Sequence, residues 1–301
     1  MSKEIAGTLL ALITAIISGC AIFANKIFVV DLDPTIFTAV RAMIIGLLFF
    51  IISLFQCRFR LSSFKKVSWS YLLAIGIIGG GFAFLLFFSG LQLTTAGRAA
   101  FLHKTLPLYV TVLAFFFLKE RITKKQLTAL ILMFAGTLIL YSATLSPAAL
   151  WTNPALGDVL IILATLFWGI ENVIARKAML LKETNFVVTF GRMFFGALFL
   201  FGAVLLLGKF ELLFALQTHQ IVNLLASTAL LFGFVLTYYW SLRYINVSKS
   251  ATMLLLAPVI TLALGIMFLG EPAPPLQLLA SAIILAGAAL IVKVKSEFQA
   301  V

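Results

Sequence analysis

The chain has 301 residues, of which 63% are apolar and 11% charged, and its mean hydropathy is +1.16. That composition lacks the polar surface a soluble body of this size needs and marks an integral membrane protein. The formal net charge of +12 is then a matter of membrane topology, and no nucleic-acid partner is expected from it.

Crossing roughly 30 Å of hydrocarbon takes about 20 apolar residues. Ten stretches qualify: Ile5–Val30, Thr35–Phe55, Trp69–Leu91, Ala96–Leu118, Lys124–Leu145, Leu156–Met179, Asn185–Leu207, Gln220–Leu242, Val247–Leu269 and Pro275–Val292. The first is too long for a signal-peptide core and lacks a small-residue cleavage pattern, so it reads as a retained span. All ten are continuously apolar rather than alternating, which predicts an α-helical bundle and excludes a barrel. The connections after Phe55, Leu145 and Leu207 are the longest, and none could hold a folded domain. Cys20 and Cys57 have no Cys or His neighbours at metal-ligand spacing, so both read as inert thiols, and no metal or other cofactor is expected.

Sorting Lys and Arg by alternate loops gives sixteen on the side of both termini and four, Lys26, Arg98, Lys104 and Lys209, on the other; Arg41 and Arg192 remain within spans. By the positive-inside rule both termini are cytoplasmic, in a multi-pass protein of the cytoplasmic (inner) membrane.

Sliding the chain against itself by 151 residues aligns Lys26 with Lys177, Thr38 with Thr189, Arg41 with Arg192, Pro107 with Pro258, Glu120 with Glu271 and Gly136 with Gly287. Matches among rare charged residues and prolines at one offset define two related halves, 1–151 and 152–301, of five spans each. Five is odd, so the second half enters the membrane from the opposite side. The result is an inverted repeat, the geometry of alternating access.

Each half carries a proline in its fourth span and, thirteen residues later, a glutamate: Pro107 with Leu118-Lys119-Glu120-Arg121, and Pro258 with Leu269-Gly270-Glu271-Pro272. Each fifth span contains a glycine, in Phe134-Ala135-Gly136 and Leu285-Ala286-Gly287, and the second half opens with Phe167-Trp168-Gly169. The pattern resembles the EamA family of the drug/metabolite transporter superfamily over essentially the whole chain. The first half departs from it, with Ser18-Gly19 where a Trp-Gly pair would stand. The resemblance implies a ten-helix carrier whose central cavity is lined by spans of both halves, the fourth and ninth included. It does not specify a substrate.

Ionisable groups inside spans are costly and mark functional positions. Glu171 is the acidic residue deepest in a span, at a depth close to that of Arg192 on the next helix, so a buried pair is expected. Its repeat counterpart is Cys20, which leaves Arg41 without an equivalent acid and available to a substrate carboxylate or phosphate, unless Asp31 or Asp33 reaches it. His103 and Lys104 replace the symmetric Leu254 and Leu255; consecutive helical residues point about 100° apart, so one of the two is expected to face the cavity. Arg41 with His103 or Lys104 is thus expected to form the outer part of an anion site. Pro107 and Pro258 each remove a backbone hydrogen bond and could line the cavity as kinks. Trp168 and Tyr238 are candidate cavity aromatics, while Trp240 and Tyr244 read as interfacial belt. Glu120 and Glu271 are expected to pair with Arg or Lys in adjacent loops.

With no nucleotide-binding loop and no acid, base and nucleophile set, neither a primary pump nor an enzyme is expected, and catalytic residues are none. The leading reading is a secondary carrier for a small organic solute bearing carboxylate or phosphate, or zwitterionic like an amino acid. The alternatives are an organic-cation or drug exporter, with Glu171, Trp168 and Tyr238 as the cation site, and a lipid flippase or its subunit. The solute and the bilayer are the expected partners, with a coupling proton or ion, and a monomer or a homodimer, left open.

Overall fold

The computed structural model describes residues 2–28, 32–56, 67–142 and 155–296. Asp31 and Cys57 lie outside the described residues. Ten helices are long and apolar enough to cross a membrane: α1 (Lys3–Phe28), α2 (Pro34–Gln56), α3 (Trp69–Leu93), α4 (Gly97–Phe117), α5 (Lys124–Ser142), α6 (Leu156–Leu180), α7 (Asn185–Leu206), α8 (Thr218–Tyr244), α9 (Val247–Leu269) and α10 (Pro275–Val292). Their surfaces carry Leu, Ile and Phe outward, among them Phe116, Phe117, Met267 and Phe268, as lipid contact requires.

The main helix pairs are α3 with α6, α2 with α7, α3 with α7, α1 with α8 and α5 with α10, followed by α9 with α1 and α4 with α6. Exchanging each of α1–α5 with its counterpart in α6–α10 maps this set onto itself, as two related five-helix halves would, except for α3 with α7, whose counterpart α8 with α2 is a much smaller contact. Glu4 Oε1 accepts hydrogen bonds from the Ser296 amide at 3.1 Å and the Lys249 ammonium at 2.8 Å. These contacts put the start of α1, the start of α9 and the end of α10 at one end of the bundle, here called the terminal end.

Three spans are irregular at mid-depth. α4 consists of Ala96–His103 and Leu106–Phe117, and α9 of Val247–Met253 and Ala257–Leu269 joined by a 3-10 turn at Leu254–Leu256. The breaks fall at equivalent places in the repeat, each just before a proline, Pro107 or Pro258, in the first turn of the second segment. Proline starts a helix without loss because its missing N–H has no partner there, but it cannot continue one. The prolines thus begin new helices rather than bend continuous ones.

The third irregularity is a π-helical segment, Gly76–Phe82, within α3. It contains Gly76, Gly79, Gly80 and Gly81. A Cβ on Gly80 would overlap the carbonyl oxygen of Arg192, so its absence allows α3 to lie directly on α7. The equivalent segment of α8 carries Ser227, Leu230, Leu231 and Phe232. Accordingly α3 packs along α7 more extensively than α8 packs along α2. The two halves share a plan but differ in closure.

Candidate functional site: a cavity at the helix breaks

A cavity of about 160 Å³ lies where the breaks in α4 and α9 meet α6, α7 and α8. Its polar lining comprises His103, Lys104, Glu171, Asn172, Arg192 and the hydroxyls of Tyr238 and Tyr239, set among Phe84, Trp168, Phe234 and several leucines.

Glu171 is fully buried. Tyr239 donates its hydroxyl to Oε1 at 2.5 Å, while Oε2 lies 3.6 Å from Arg192 Nε. The Arg192 guanidinium carbon sits 5.7 Å from the Tyr239 ring centroid and 6.0 Å from that of Phe84, so its charge also meets two π faces. The residues expected to pair are therefore brought together. The site also depends on Gly79, whose Cβ would overlap Glu171 Cγ. The Gly79 carbonyl accepts a hydrogen bond from Trp168 Nε1 at 2.9 Å, which fixes the indole over His103 with ring centroids 4.9 Å apart.

Among the described residues four buried polar atoms of the cavity-lining side chains have no hydrogen-bond partner: Asn172 Oδ1, Tyr238 Oη, and Glu171 Oε2 and Arg192 Nε, which face each other only at 3.6 Å. Buried polar groups are ordinarily satisfied. A cluster of four around one space is what a polar ligand would complete.

Both His103 and Lys104 line the cavity, where one was expected. The reason is the helix break: His103 is the last residue of its helix and Lys104 its C-cap, so the 100° rule for continuous helices no longer applies. Lys104 is buried, and among the described residues no carboxylate comes within 4.0 Å of it.

Arg41 does not line this cavity. Its Nη2 donates to the Ser227 carbonyl at 3.3 Å, and its guanidinium carbon lies 4.3 Å from the Phe37 ring centroid, so it faces α8 rather than His103 and Lys104. Asp33 does not serve it either, because that carboxylate binds Lys209 at 2.8 Å. Pro258 is likewise behind the wall; Leu254 and Leu255 of the preceding turn reach the cavity in its place. Tyr238 does line it, yet the hydroxyl on Glu171 belongs to Tyr239, which sequence reasoning missed, as it missed Asn172, Phe84 and Gly79. Asn172, four residues after Trp168, shared a helical face with it and could have been found by that spacing; nothing in the spacing pointed to Tyr239, Phe84 or Gly79.

The terminal end of the cavity is closed by a second polar cluster. Glu120, expected to meet a cation, does so with Arg176 at 3.9 Å, and more closely accepts the backbone N–H of Val247 at 2.9 Å and the Ser248 hydroxyl at 3.0 Å. It thereby caps the first turn of α9, where a carboxylate is favoured. Arg176 also donates to the Leu242 carbonyl, and Asn246 Nδ2 to Gln126 at 3.3 Å. Burial pushes the Glu120 carboxyl above the usual glutamate range, against the lowering effect of these donors and of Arg176. Its repeat counterpart Glu271 instead pairs with Lys26 at 2.5 Å on the exposed opposite end. Residues Ser248–Met253 are buried throughout, whereas the equivalent Gly97–Leu102 are part buried and part half-buried. The molecule is sealed at the terminal end and looser at the other.

The EamA-like transporter family matches residues 5–142 and again residues 155–293. Among relatives, a Bacillus subtilis protein named "Uncharacterized transporter YoaV" is 29% identical over 258 residues, covering 82% of this chain and 83% of its own. A Salmonella typhimurium protein named "Probable amino-acid metabolite efflux pump" is 26% identical over 291 residues, 92% of each. A crystal structure 18% identical in sequence superposes with a TM-score of 0.75 over 96% of this chain and 97% of its own, which extends the likeness in fold. With ten apolar helices built around a mid-depth cavity and the family signature present twice, the chain belongs to the EamA-like transporter family of the drug/metabolite transporter superfamily.

Proposed function

We propose that this protein is a secondary carrier of the cytoplasmic membrane, with both termini cytoplasmic, that moves a small organic solute bearing a carboxylate or phosphate by alternating access between its two inverted halves, 1–151 and 152–301. The observation that carries the reading is Lys104, an ammonium in the cavity wall with no carboxylate partner among the described residues. Arg192 already faces Glu171, so Lys104 is the group left for a substrate anion, and the open acceptors on Glu171 and Asn172 suit a donor on the same solute. The volume of about 160 Å³ is below the roughly 300–1,000 Å³ of drug-sized sites, which favours a metabolite over a bulky drug. The Salmonella relative's name, an amino-acid metabolite pump, agrees with that size. Unequal closure at the two ends, with Glu120 capping α9 at one and Glu271 at the surface of the other, supports alternating access.

The test is the binding of acetate, alanine, inorganic phosphate and tetramethylammonium to purified protein, followed by thermal stabilisation. Lys104→Gln is expected to weaken the anionic ligands by about ten- to a hundredfold, the loss of one charge-assisted contact. Tetramethylammonium binding in preference to every anion would overturn this reading and favour a cation site at Glu171 and Trp168.

A further inference from the structure

The cavity's charges select more narrowly than this. At pH 7, with the His103 ring neutral, the cavity wall holds two cations, Lys104 and Arg192, and one carboxylate, Glu171. Among the described residues the other buried basic side chains near the terminal end are matched: Arg176 faces Glu120 at 3.9 Å and Lys249 faces Glu4 at 2.8 Å. Arg41 lacks a carboxylate among the described residues, but it lies outside the cavity against the Ser227 carbonyl and the Phe37 ring, so a solute in the cavity does not meet it. Only the charge on Lys104 gains or loses its match with occupancy.

We propose that the carrier takes a small solute of net charge minus one, such as a 2-hydroxy or 2-oxo monocarboxylate, and moves it by exchange rather than by net flux. The proposal rests on the function proposed above and narrows it. A monoanion with its carboxylate on Lys104 makes the loaded cavity neutral, whereas a zwitterion of the same skeleton leaves it at plus one. An unmatched charge in the membrane interior is costly, so the empty carrier is penalised when it closes and the monoanion-loaded carrier is not. A 2-hydroxyl can donate to Asn172 Oδ1, and a 2-hydroxyl or 2-oxo oxygen can accept from the Tyr238 hydroxyl, both atoms being otherwise unsatisfied among the described residues.

Lactate, pyruvate and alanine share a three-carbon skeleton and differ in charge, which makes them the probes. Purified protein in proteoliposomes at pH 7, with the membrane potential clamped to zero, is loaded with labelled lactate, and efflux is followed into buffer with and without unlabelled lactate. Exchange is expected to exceed net efflux on the order of a hundredfold, with pyruvate but not alanine supporting it on the far side. Lys104→Gln is expected to bring exchange and net efflux to similar rates. Equal exchange and net efflux in the native protein, or alanine exchanging as well as lactate, would overturn the inference while leaving a carboxylate carrier standing. Binding of none of the three, with tetramethylammonium binding instead, would overturn the function on which it rests. The native protein decides all of these outcomes even if the Lys104 variant does not fold.

Discussion

The two oxygens of Glu171 have different partners: Tyr239 holds Oε1 by a hydrogen bond at 2.5 Å, and Arg192 approaches Oε2 with Nε at 3.6 Å. The carboxylate therefore joins α6, α7 and α8 at the cavity wall. Removing one partner of such a pair strands the other, at about 3–5 kcal/mol. Glu171→Gln and Arg192→Gln are each expected to lower stability by about that much, and the double variant by less than their sum. Additive losses in a denaturation cycle would show that the two groups do not interact. Tyr239→Phe, which removes only the hydroxyl, should lose about 1.5–3 kcal/mol, the range for hydrogen bonds to charged groups.

Gly79 makes this arrangement sterically possible. Any Cβ at that position enters the volume of the Glu171 side chain, and overpacking a tight contact costs typically about 1–3 kcal/mol. Gly79→Ala is expected to destabilise the protein and to displace Glu171, so it should also weaken ligand binding. Gly202, where an added Cβ would meet nothing within 4 Å, provides the control: Gly202→Ala should be neutral or stabilising by about 0.5–1 kcal/mol, since alanine is the better helix former. Equal behaviour of the two variants in a thermal melt would argue against the close contact.

The ten spans and their two-fold relation were readable because they rest on quantities a sequence carries directly. Apolar length marks a span, and a shared offset of rare residues such as Arg41 with Arg192 marks a repeat. The depth of Glu171 and Arg192 followed from counting residues at 1.5 Å each, which sufficed to pair them. Azimuth was less accessible. Tyr238 and Tyr239 lie at nearly equal depth, and which of them meets Glu171 depends on how α8 is rotated against α6. Arg41 was assigned to the cavity on depth, but it faces Ser227 on α8. Helix breaks also changed the faces presented, bringing His103 and Lys104 onto one wall and setting Pro258 behind it. The π segment at Gly76–Phe82 was visible only as a glycine cluster, with nothing to show that a carbonyl within it would receive Trp168.

Glu120 gives the terminal-end seal a pH dependence whose sign can be worked out. With the seal closed, burial raises its carboxyl above the ordinary glutamate range; with it open, the exposed group returns to about 4.3. The closed form thus binds the proton more tightly, and its advantage is complete below about pH 4.3 and lost as the pH rises through the raised value. Ala251, fully buried just inside the seal, is a reporter position. In a background with Cys20 and Cys57 replaced by Ser, Ala251→Cys should become more accessible to a thiol reagent with rising pH, relative to the same protein carrying Glu120→Gln, which mimics the protonated form. The ratio of the two rates, which cancels the reagent's own pH dependence, should approach one in acid and grow toward neutrality; a ratio falling with pH would contradict the seal.

Among the described residues Arg41 and Lys104 are both buried cations without a carboxylate, and their surroundings differ. Lys104 opens onto the cavity, while Arg41 spends its donors on the Ser227 carbonyl and its charge on the Phe37 ring. A guanidinium held by a carbonyl and a π face joins α2 to α8 without a ligand, and lysine, a compact ammonium with no planar fork, would not reproduce it. Arg41→Gln and Arg41→Lys are therefore expected to leave the affinity for carboxylates within about twofold of the native protein, where Lys104→Gln weakens it about ten- to a hundredfold. Their effect should fall on transport rate, because α2 and α8 are the pair that packs less closely than its counterpart, α3 with α7, and so the pair with room to close when the opposite end seals. A tenfold loss of carboxylate affinity in Arg41→Gln would return Arg41 to the binding site and require α8 to turn it toward the cavity in another state of the carrier.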